Sequence, residues 1–285
     1  MKNKIWFVTG ASKGIGLVLV QKLLKEGYQV AATSRKLDEL KKAVGVNSTS
    51  FLPLQVDLVN ESSVEKAIAD TVKQFGGLDI IVNNAGYGTV GSLEELSDAE
   101  VRQNFDVNVF GLLNVIRQVL PYLRKQQSGH IFNVSSVGGF TGMFPGFGTY
   151  CATKFAVTGL TESLSEEIKE FGIHATIVAP GYFRTRFLDE GSLVLPQHEI
   201  AEYKRVREVQ QLHKYNINGN QQGDPEKLAD VLIEVSQQQQ PPLHLFIGQD
   251  AYEMAAAKIQ FVQQDMDKVK ALATSTSYAG ESVPA

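Results

Sequence analysis

The chain has 285 residues, 43% of them hydrophobic and 20% charged, and its formal net charge is −4. This length allows one large domain with a well-buried core. The negative charge argues against a general nucleic-acid-binding protein, because phosphate binding needs a surplus of Lys and Arg. The sequence lacks an apolar run of the roughly eighteen residues that a membrane span needs. It also lacks a signal-peptide pattern and has one cysteine, Cys151, so we expect a cytoplasmic protein.

Predicted strands and helices alternate along most of the chain. Strands are predicted at residues 4–10, 29–35, 51–57, 78–84, 130–136, 174–179 and 243–248. Helices are predicted at residues 14–26, 61–75, 98–126, 149–171 and 225–237. Several strands are continuous apolar runs, which is typical of parallel strands covered by helices on both faces. The pattern predicts an α/β fold, a Rossmann-type doubly wound parallel sheet of about seven strands, with the ligand site at the strands' carboxyl ends.

Two segments depart from this alternation. Residues 186–222 are long and mixed in character, and an insertion beside the binding edge of such a sheet is usually a lid. We therefore expect residues 186–222 to form a substrate lid within a single domain that spans residues 1–273. The segment 274–285 is small and polar, and we expect it to be a flexible tail.

A glycine-rich turn joins the first predicted strand to the first predicted helix, with the spacing G-x3-G-x-G. Glycines let a backbone turn tightly and approach a ligand, and the helix N-terminus supplies amide donors to a diphosphate. The alternative, a turn without a ligand, fits less well with its place in the first strand–turn–helix unit. The residues predicted to bind a dinucleotide here are Gly10, Ser12, Lys13, Gly14, Ile15 and Gly16.

The end of the second predicted strand indicates which dinucleotide binds. Enzymes that prefer NAD usually have Asp or Glu here to bind the ribose 2′-hydroxyl. This chain has Arg35 instead, and Lys13 lies in the glycine turn. Two cations suit a 2′-phosphate, so we expect NADP(H) to be preferred over NAD(H). The alternative is that Arg35 is merely solvated at the start of a helix.

Tyr150 and Lys154 are four residues apart on a predicted helix and therefore share one face. A free tyrosine has a pKa of about 10, and a neighbouring cation lowers that pKa and makes proton exchange with a carbonyl or alcohol oxygen feasible. Upstream, the fifth predicted strand ends at Ser135-Ser136. A hydroxyl at that sheet edge can hydrogen-bond the substrate oxygen, so Ser136 joins the pair as a candidate catalytic residue.

These motifs, in this order, resemble the short-chain dehydrogenase/reductase family over residues 4–185. The resemblance implies that Asp57, followed by Leu58, contacts the adenine, and that Asn84-Ala85-Gly86 lies beside the cofactor. It implies that Pro180, Gly181, Phe183 and Thr185 contact the nicotinamide end. Asn108 corresponds to the asparagine that holds a proton-relay water. The implied activity is hydride transfer, with Tyr150 as acid–base catalyst, Ser136 orienting the substrate and Lys154 holding the ribose.

One departure from the family pattern concerns the serine. Thirteen residues separate Ser136 from Tyr150, one more than is usual in the family. The extra residue can form a bulge in the glycine-containing segment 140–146, or Ser135 can face the site instead. Only one of the two serines can do so, because successive side chains of a strand alternate. We expect Ser136, since Val137-Gly138 follows it as in family members.

Aromatic residues on both sides of the predicted site indicate an apolar substrate. The alternative is that several of them pack the lid against the core. The residues predicted to bind the substrate with Ser136 and Tyr150 are Phe140, Met143, Phe144, Phe147, Tyr182 and Phe187.

Other groups are expected to have no catalytic role. The five histidines, His213 among them, lack ligand spacing, so we predict no metal. Cys151 is expected to pack inside its helix, and Glu94-Glu95 to be solvated. The helices at 98–126 and 149–171 resemble the dimer-forming helices of the family, which implies a homodimer or homotetramer. An NADP(H)-binding sensor or scaffold, and a C=C reductase or epimerase on the same fold, are the alternative functions.

Overall fold

The computed structural model describes residues 4–278. Residues 279–285, which belong to the predicted flexible tail, lie outside this range. Its centre is a sheet of seven strands in the order β3-β2-β1-β4-β6-β7-β9, with every neighbouring pair parallel. Those strands are β1 (Ile5–Val8), β2 (Gln29–Ser34), β3 (Phe51–Gln55), β4 (Ile80–Asn83), β6 (Gly129–Val134), β7 (Ile173–Pro180) and β9 (His244–Ile247). Two short strands, β5 (Gly88–Thr89) and β8 (Leu193–Val194), form a separate parallel pair.

Helices cover both faces of the sheet, which confirms the predicted fold class. They are α1 (Gly14–Lys25), α2 (Leu37–Val44), α3 (Glu61–Phe75), α4 (Asp98–Phe105), α5 (Gly111–Gln126), α6 (Gly148–Ile168), α7 (Lys204–Gln211), α8 (Pro225–Val235) and α9 (Gln249–Ala273). Adjacent residues of β1 show the two layers, because successive side chains of a strand point to opposite faces. Trp6 packs with residues of α1 and α8, whereas Phe7 packs with residues of α3, α5 and α6. Both rings are fully buried.

The strand order reverses between β1 and β4. From β1 the chain proceeds outward to β2 and β3, and it then returns to β4 and continues to β6, β7 and β9 on the other side. A crevice forms at the carboxyl ends of the strands at such a reversal, and ligands of doubly wound sheets bind there. The loops that follow β1, β4, β6 and β7 therefore meet at one edge of the sheet.

Three helical features differ from the predictions. The predicted helix 98–126 is interrupted at Asp106–Phe110, where the chain makes a π-helical turn. The helices α2 and α9 were not predicted, although α9 is rich in residues with good helix propensity, such as Ala, Gln, Met and Lys. Only Ala251 and Ala255 of α9 are buried, and its larger apolar side chains, such as Ile259, Val262 and Met266, are exposed.

The predicted lid contains ordered structure of its own. Its strand β8 pairs with β5, and its helix α7 is held by an ion pair between Arg207 and Glu95. The prediction that Glu95 is solvated is wrong: its side chain is buried and also accepts backbone hydrogen bonds from Ser92 (2.7 Å) and Ile200 (2.7 Å). Burial of a carboxylate is tolerated because a cation and amide donors compensate its lost hydration.

Within the described residues, no helix is both long enough and apolar enough to cross a membrane.

Candidate active site

A cleft of about 460 Å³ opens at the carboxyl ends of the central strands. It is lined by the turn after β1, the ends of β2, β4, β6 and β7, the first turns of α6 and part of the lid. The predicted site residues that line it are Gly10, Ser12, Lys13, Gly14, Ile15, Arg35, Asp57, Leu58, Asn84, Ala85, Gly86, Ser136, Phe144, Phe147, Tyr150, Lys154, Pro180, Gly181, Tyr182, Phe183, Thr185 and Phe187. Four others, Gly16, Asn108, Phe140 and Met143, lie outside the lining.

The glycine turn is folded against the loop after β4. Gly10 has a φ of +67°, and a Cβ atom on it would be 2.7 Å from the Ala85 Cα atom, so only glycine fits there. The Asn84 side chain donates to the backbone carbonyls of Thr9 (2.9 Å) and Gly10 (3.1 Å). Gly16 lies behind the turn, where a Cβ atom would overlap the Asn84 amide. Gly16 packs closely within the turn and does not line the cleft, and its part in cofactor binding stays a prediction.

The residues of this turn fit an anionic diphosphate. Helix α1 begins at Gly14, and the preceding residue, Lys13, makes no side-chain capping hydrogen bond. The first amides of a helix have no partner within the helix, and together with the helix dipole they form a site for an anion. Gly10 has no side chain, so its backbone is open to the cleft at this position. A dinucleotide diphosphate is therefore compatible with the cradle that these residues form.

Lys13, Arg35 and Arg186 form a cationic group beside the glycine turn. The pKa of Lys13 is lowered, first by burial and then by repulsion from Arg186 and Arg35. All three residues line the cleft. The nearest compensating carboxylates are engaged elsewhere, since Asp189 binds Arg186 at 3.1 Å and Glu39 binds Lys36 at 2.7 Å. Arg186 was not among the predicted cofactor residues, because it comes from the lid.

Tyr150 and Lys154 lie on the first turns of α6, as their spacing predicts. The Lys154 Nζ atom is 5.9 Å from the centre of the Tyr150 ring and donates a hydrogen bond of 2.8 Å to the Val134 carbonyl at the end of β6. Lys154 is buried, and burial lowers its pKa to about 8. Helix α6 is thereby tied to the strand that carries the candidate serine.

The expected decrease in the tyrosine pKa is not found. Burial raises the pKa of Tyr150 well above its usual value, and a hydrogen bond with Ser136 only partly opposes this shift. The prediction considered the attraction of a nearby cation but not the loss of hydration, which penalises the phenolate. In this state the phenol keeps its proton and is poised as a donor.

The two serines at the end of β6 face different surroundings. The Ser135 hydroxyl donates to the Lys154 carbonyl (2.9 Å) and contacts the Thr158 hydroxyl (3.0 Å), so it is turned toward α6. The Ser136 hydroxyl accepts from the Gly138 amide (3.0 Å) and is the hydrogen-bond partner of Tyr150. The geometry therefore favours Ser136 as the serine that meets a substrate oxygen.

Asn108 lies behind the cleft, on the π-helical turn. Its side-chain amide donates to the Tyr87 carbonyl (2.9 Å) and the Thr153 hydroxyl (3.0 Å), and its oxygen accepts from the Tyr87 amide (3.0 Å). A π-helical turn widens the backbone locally and is frequent at functional sites. Here it brings the asparagine next to Gly86, where a Cβ atom would be 3.0 Å from its oxygen and 3.4 Å from the Lys154 Nζ atom.

The loops predicted to contact the adenine and the nicotinamide are each held by local hydrogen bonds. Asp57 accepts from the Val59 amide (3.1 Å), which shapes the loop after β3. Thr185 caps a short 3-10 turn by accepting from the Phe187 amide (3.3 Å). These loops present their residues at the two ends of the same cleft.

The cleft is largely aromatic near Tyr150, but two of the residues predicted to bind the substrate lie outside its lining. Phe187 and Phe147 both contact the Tyr150 ring, with ring centres 5.7 and 6.4 Å away. Phe140 instead stacks edge-on against Phe246 at 5.1 Å, in a small space behind the cleft. Met143 is 66% exposed and does not line the cleft. Both belong to a loop that leaves the cleft before the chain returns at Phe144, and their contact with a substrate stays a prediction.

His213 is a cleft residue that the sequence interpretation missed. It lies on the lid, and its Nε2 atom is 2.9 Å from the Tyr182 hydroxyl. Its ring also packs on Phe147, 4.8 Å between centres. A search for metal-ligand spacing cannot detect such a residue, because its partners come from segments distant in the sequence. Cys151, by contrast, is buried on α6 as expected, and burial raises its pKa to about 11.

Known proteins are similar to this chain over most of its length. A family model described as short chain dehydrogenase matches residues 4–192. A 3-ketodihydrosphingosine reductase from Bacteroides thetaiotaomicron is 35% identical over 250 residues, covering 87% of this chain and 89% of the relative. A short-chain dehydrogenase from Streptomyces avermitilis is 32% identical, with a TM-score of 0.88 over 96% of this chain and 100% of that protein. A structure of ElxO with NADP bound is 27% identical, with a TM-score of 0.69 over 86% of this chain and 97% of that protein.

Proposed function

The chain belongs to the short-chain dehydrogenase family of oxidoreductases, and from this premise we propose that it is an NADP(H)-dependent enzyme with Tyr150 as acid–base catalyst. It acts on a carbonyl or secondary alcohol of an apolar small molecule. The observation that carries the proposal is that Ser136, Tyr150 and Lys154 line one cleft with the glycine turn. A hydride-transfer enzyme needs a proton donor beside its cofactor, and these residues supply one.

Each residue of this group has a distinct proposed task. When bound, the nicotinamide dinucleotide supplies or accepts the hydride. Ser136 hydrogen-bonds the substrate oxygen, and Tyr150, which holds its proton in this structure, donates that proton as the carbonyl is reduced. Lys154 binds the nicotinamide ribose and stabilises the tyrosinate that remains. Asn108 supports a relay of protons from solvent behind the cleft.

The cationic group supports a preference for NADP(H). The pKa of Lys13 is lowered mainly by burial, and repulsion from Arg186 and Arg35 adds to this decrease. A bound dianion would relieve that repulsion, and a 2′-phosphate is the group that distinguishes NADP(H) from NAD(H). The NADP-bound ElxO structure is consistent with this proposal.

The aromatic walls support an apolar substrate. Phe147 and Phe187 flank the Tyr150 ring, and the surrounding cleft offers more apolar than charged surface on this side. Apolar surface stabilises a bound ligand through the water that it releases. The relative from Bacteroides thetaiotaomicron is named as a reductase of a keto compound, and this chain is proposed to act on the same kind of group.

Assembly into a homodimer or homotetramer through α5 and α6 is part of the proposal. The outer surface of α6 carries Phe155, which is 43% exposed, and Gly159, where an added Cβ atom would meet nothing within 4 Å. A partner helix can approach such a surface closely. We also expect the protein to be cytoplasmic.

Replacement of Tyr150 by Phe tests the function directly. The expected result is loss of NADPH-dependent reduction of apolar ketones by about 100-fold or more, because proton transfer by a positioned group contributes that much. NADPH affinity should change little, since the ring and Lys154 remain. Retained turnover in Tyr150→Phe would refute the mechanism. Wild-type enzyme that binds NADPH but reduces no ketone, aldehyde or quinone would instead indicate a sensor or scaffold.

A further inference from the structure

The phenol of Tyr182 and the imidazole of His213 form a hydrogen-bonded pair inside the cleft. The Tyr182 hydroxyl and the His213 Nε2 atom are 2.9 Å apart, and the His213 Nδ1 atom is 2.8 Å from the Val209 carbonyl. A carbonyl only accepts, so Nδ1 carries the imidazole proton. Burial lowers the pKa of His213 and keeps the ring neutral. The Nε2 atom is then an acceptor, and the Tyr182 hydroxyl must donate to it.

This arrangement fixes the hydrogen-bonding character of Tyr182 toward a ligand. Its single proton is committed to His213, which leaves its oxygen lone pairs as acceptors. Within residues 4–278 its hydroxyl has no other hydrogen-bond partner. Because Tyr182 lines the cleft, its oxygen can accept a hydrogen bond from a bound molecule but cannot donate one.

The pair lies close to the proposed reaction centre. A single ring, that of Phe147, separates His213 from Tyr150, with ring centres 4.8 and 6.4 Å away respectively. The electrostatic influence of Tyr182 on the pKa of Tyr150 also places the two phenols near each other. A substrate whose carbonyl reaches Tyr150 therefore extends past Tyr182.

We propose that the substrate carries a hydrogen-bond donor, a hydroxyl or an N–H group, in addition to its reacting carbonyl, and that Tyr182 accepts this hydrogen bond. His213 is a positioning residue, because it accepts the hydrogen bond from the Tyr182 hydroxyl. Substrates that present only an acceptor to Tyr182 are thereby excluded. This inference rests on the proposed function and narrows its substrate to apolar ketones with a second, donating polar group.

The test compares the affinities of matched ketones. The probes are methyl octyl ketone and its monohydroxylated derivatives, which are positional isomers of one another. The methoxy counterpart of the isomer that binds best completes the set. Affinity is measured by calorimetry on enzyme loaded with NADP⁺, which cannot reduce a ketone, and only hydroxylated probes that form no NADPH in this complex are compared. The wild-type enzyme should bind one hydroxylated isomer about tenfold more tightly than the plain ketone, since one hydrogen bond contributes that much. The methoxy counterpart should gain nothing.

Variants separate the roles of the two residues. Tyr182→Phe should lose the preference for the hydroxyl group and bind the plain ketone as the wild type does. In His213→Leu the phenol proton becomes free, so the methoxy compound should gain affinity relative to the plain ketone. Tyr252→Phe is the matched control, because Tyr252 lies outside the cleft on α9 and is 61% exposed. It should retain the wild-type preference.

Two outcomes would overturn the inference. One is equal affinity of the wild type for the plain and the hydroxylated ketones. The other is an equal loss of affinity for both ketones in Tyr182→Phe, which would mean that the Tyr182 ring only packs against the ligand. Failure of the proposed function is distinguishable. It would appear as absent reduction of every probe with NADPH, whereas the affinity ratio with NADP⁺ does not depend on turnover.

Discussion

The Asp250 carboxylate lies directly against Gly181, and a Cβ atom on that glycine would overlap both of its oxygens. The same carboxylate accepts from the Tyr182 amide (2.6 Å) and the Ala251 amide (2.9 Å). The first turn of α9 is thereby joined to the loop after β7, which is predicted to contact the nicotinamide. The loop conformation depends on a glycine because the carboxylate occupies the space of a side chain.

Gly181→Ala should displace Asp250 and break its bond to Tyr182. We expect a loss of about 1–3 kcal/mol in the free energy of unfolding, as for other overpacked sites, together with weaker NADPH binding. Asp250→Ala removes the overlapping atoms, so the double variant should lose at least about 0.5 kcal/mol less than the two single losses combined. Chemical denaturation measures these values. Gly77→Ala is the control and should cause little loss, because its added Cβ atom would make only ordinary contacts, the nearest 3.5 Å from the Gln126 Oε1 atom. Strictly additive losses would contradict the contact.

The part of the site that the sequence predicts well is encoded locally. Tyr150 and Lys154 share a helix face because they are four residues apart, and the glycine turn follows a strand and opens a helix. Local periodicity and turn chemistry are sufficient for such features. The doubly wound parallel sheet also follows from the alternation, since crossover rules leave few arrangements.

The missed residues share a different property, because each reaches the cleft from a distant segment. Asp250 acts on Gly181 across almost 70 residues, and Arg186 and His213 come from the lid. No spacing rule links such partners. The positions of Phe140 and Met143 outside the cleft lining have the same origin, since the direction of their loop depends on tertiary packing.

Arg35→Asp should reverse the cofactor preference. Loss of a cation that binds the 2′-phosphate and gain of an acceptor for a 2′-hydroxyl should lower the ratio of kcat/KM with NADPH to that with NADH by about 10- to 100-fold. The neighbouring Lys36 is a matched control, because it pairs with Glu39 and does not line the cleft. Lys36→Asp should leave the ratio nearly unchanged. A wild-type enzyme that works better with NADH would refute the role of Arg35.

His130 should make the fold sensitive to acid. Its Nε2 atom is 2.9 Å from the Thr176 hydroxyl, which itself donates to the Pro242 carbonyl, so His130 must donate there. Burial lowers its pKa from 6.5 to about 3. Below pH 6.5 the unfolded chain takes up a proton that the folded chain refuses, so stability is lost as the pH falls from 6.5 toward 3. At pH 5 this should lower the free energy of unfolding by about 2 kcal/mol.

Denaturant unfolding at several pH values measures this loss. His130→Gln keeps a donor for Thr176 but cannot titrate, so its stability should fall less steeply than that of the wild type between pH 7 and 5. The comparison isolates His130, because the carboxylates contribute equally to both proteins. Parallel curves for the two proteins would show that another group controls the acid sensitivity.

The pH dependence of reduction should reflect Lys154. Burial lowers its pKa to about 8, whereas burial raises the pKa of Cys151 to about 11 and that of Tyr182 to about 12. Above pH 8 the free enzyme loses the ammonium that binds the cofactor ribose and stabilises the tyrosinate. The kcat/KM for NADPH should therefore fall about tenfold for each further pH unit.

Lys154→Arg provides the decisive comparison, because a guanidinium stays charged throughout this range. Its activity should be lower at every pH, since the larger group cannot reproduce the 2.8 Å hydrogen bond to Val134 without moving β6 or α6. In the remaining activity of this variant, the decline in kcat/KM that begins near pH 8 should nevertheless be absent. If the variant keeps that decline at the same pH, the titrating group is not Lys154, and the ammonium has no electrostatic part in the proton transfer.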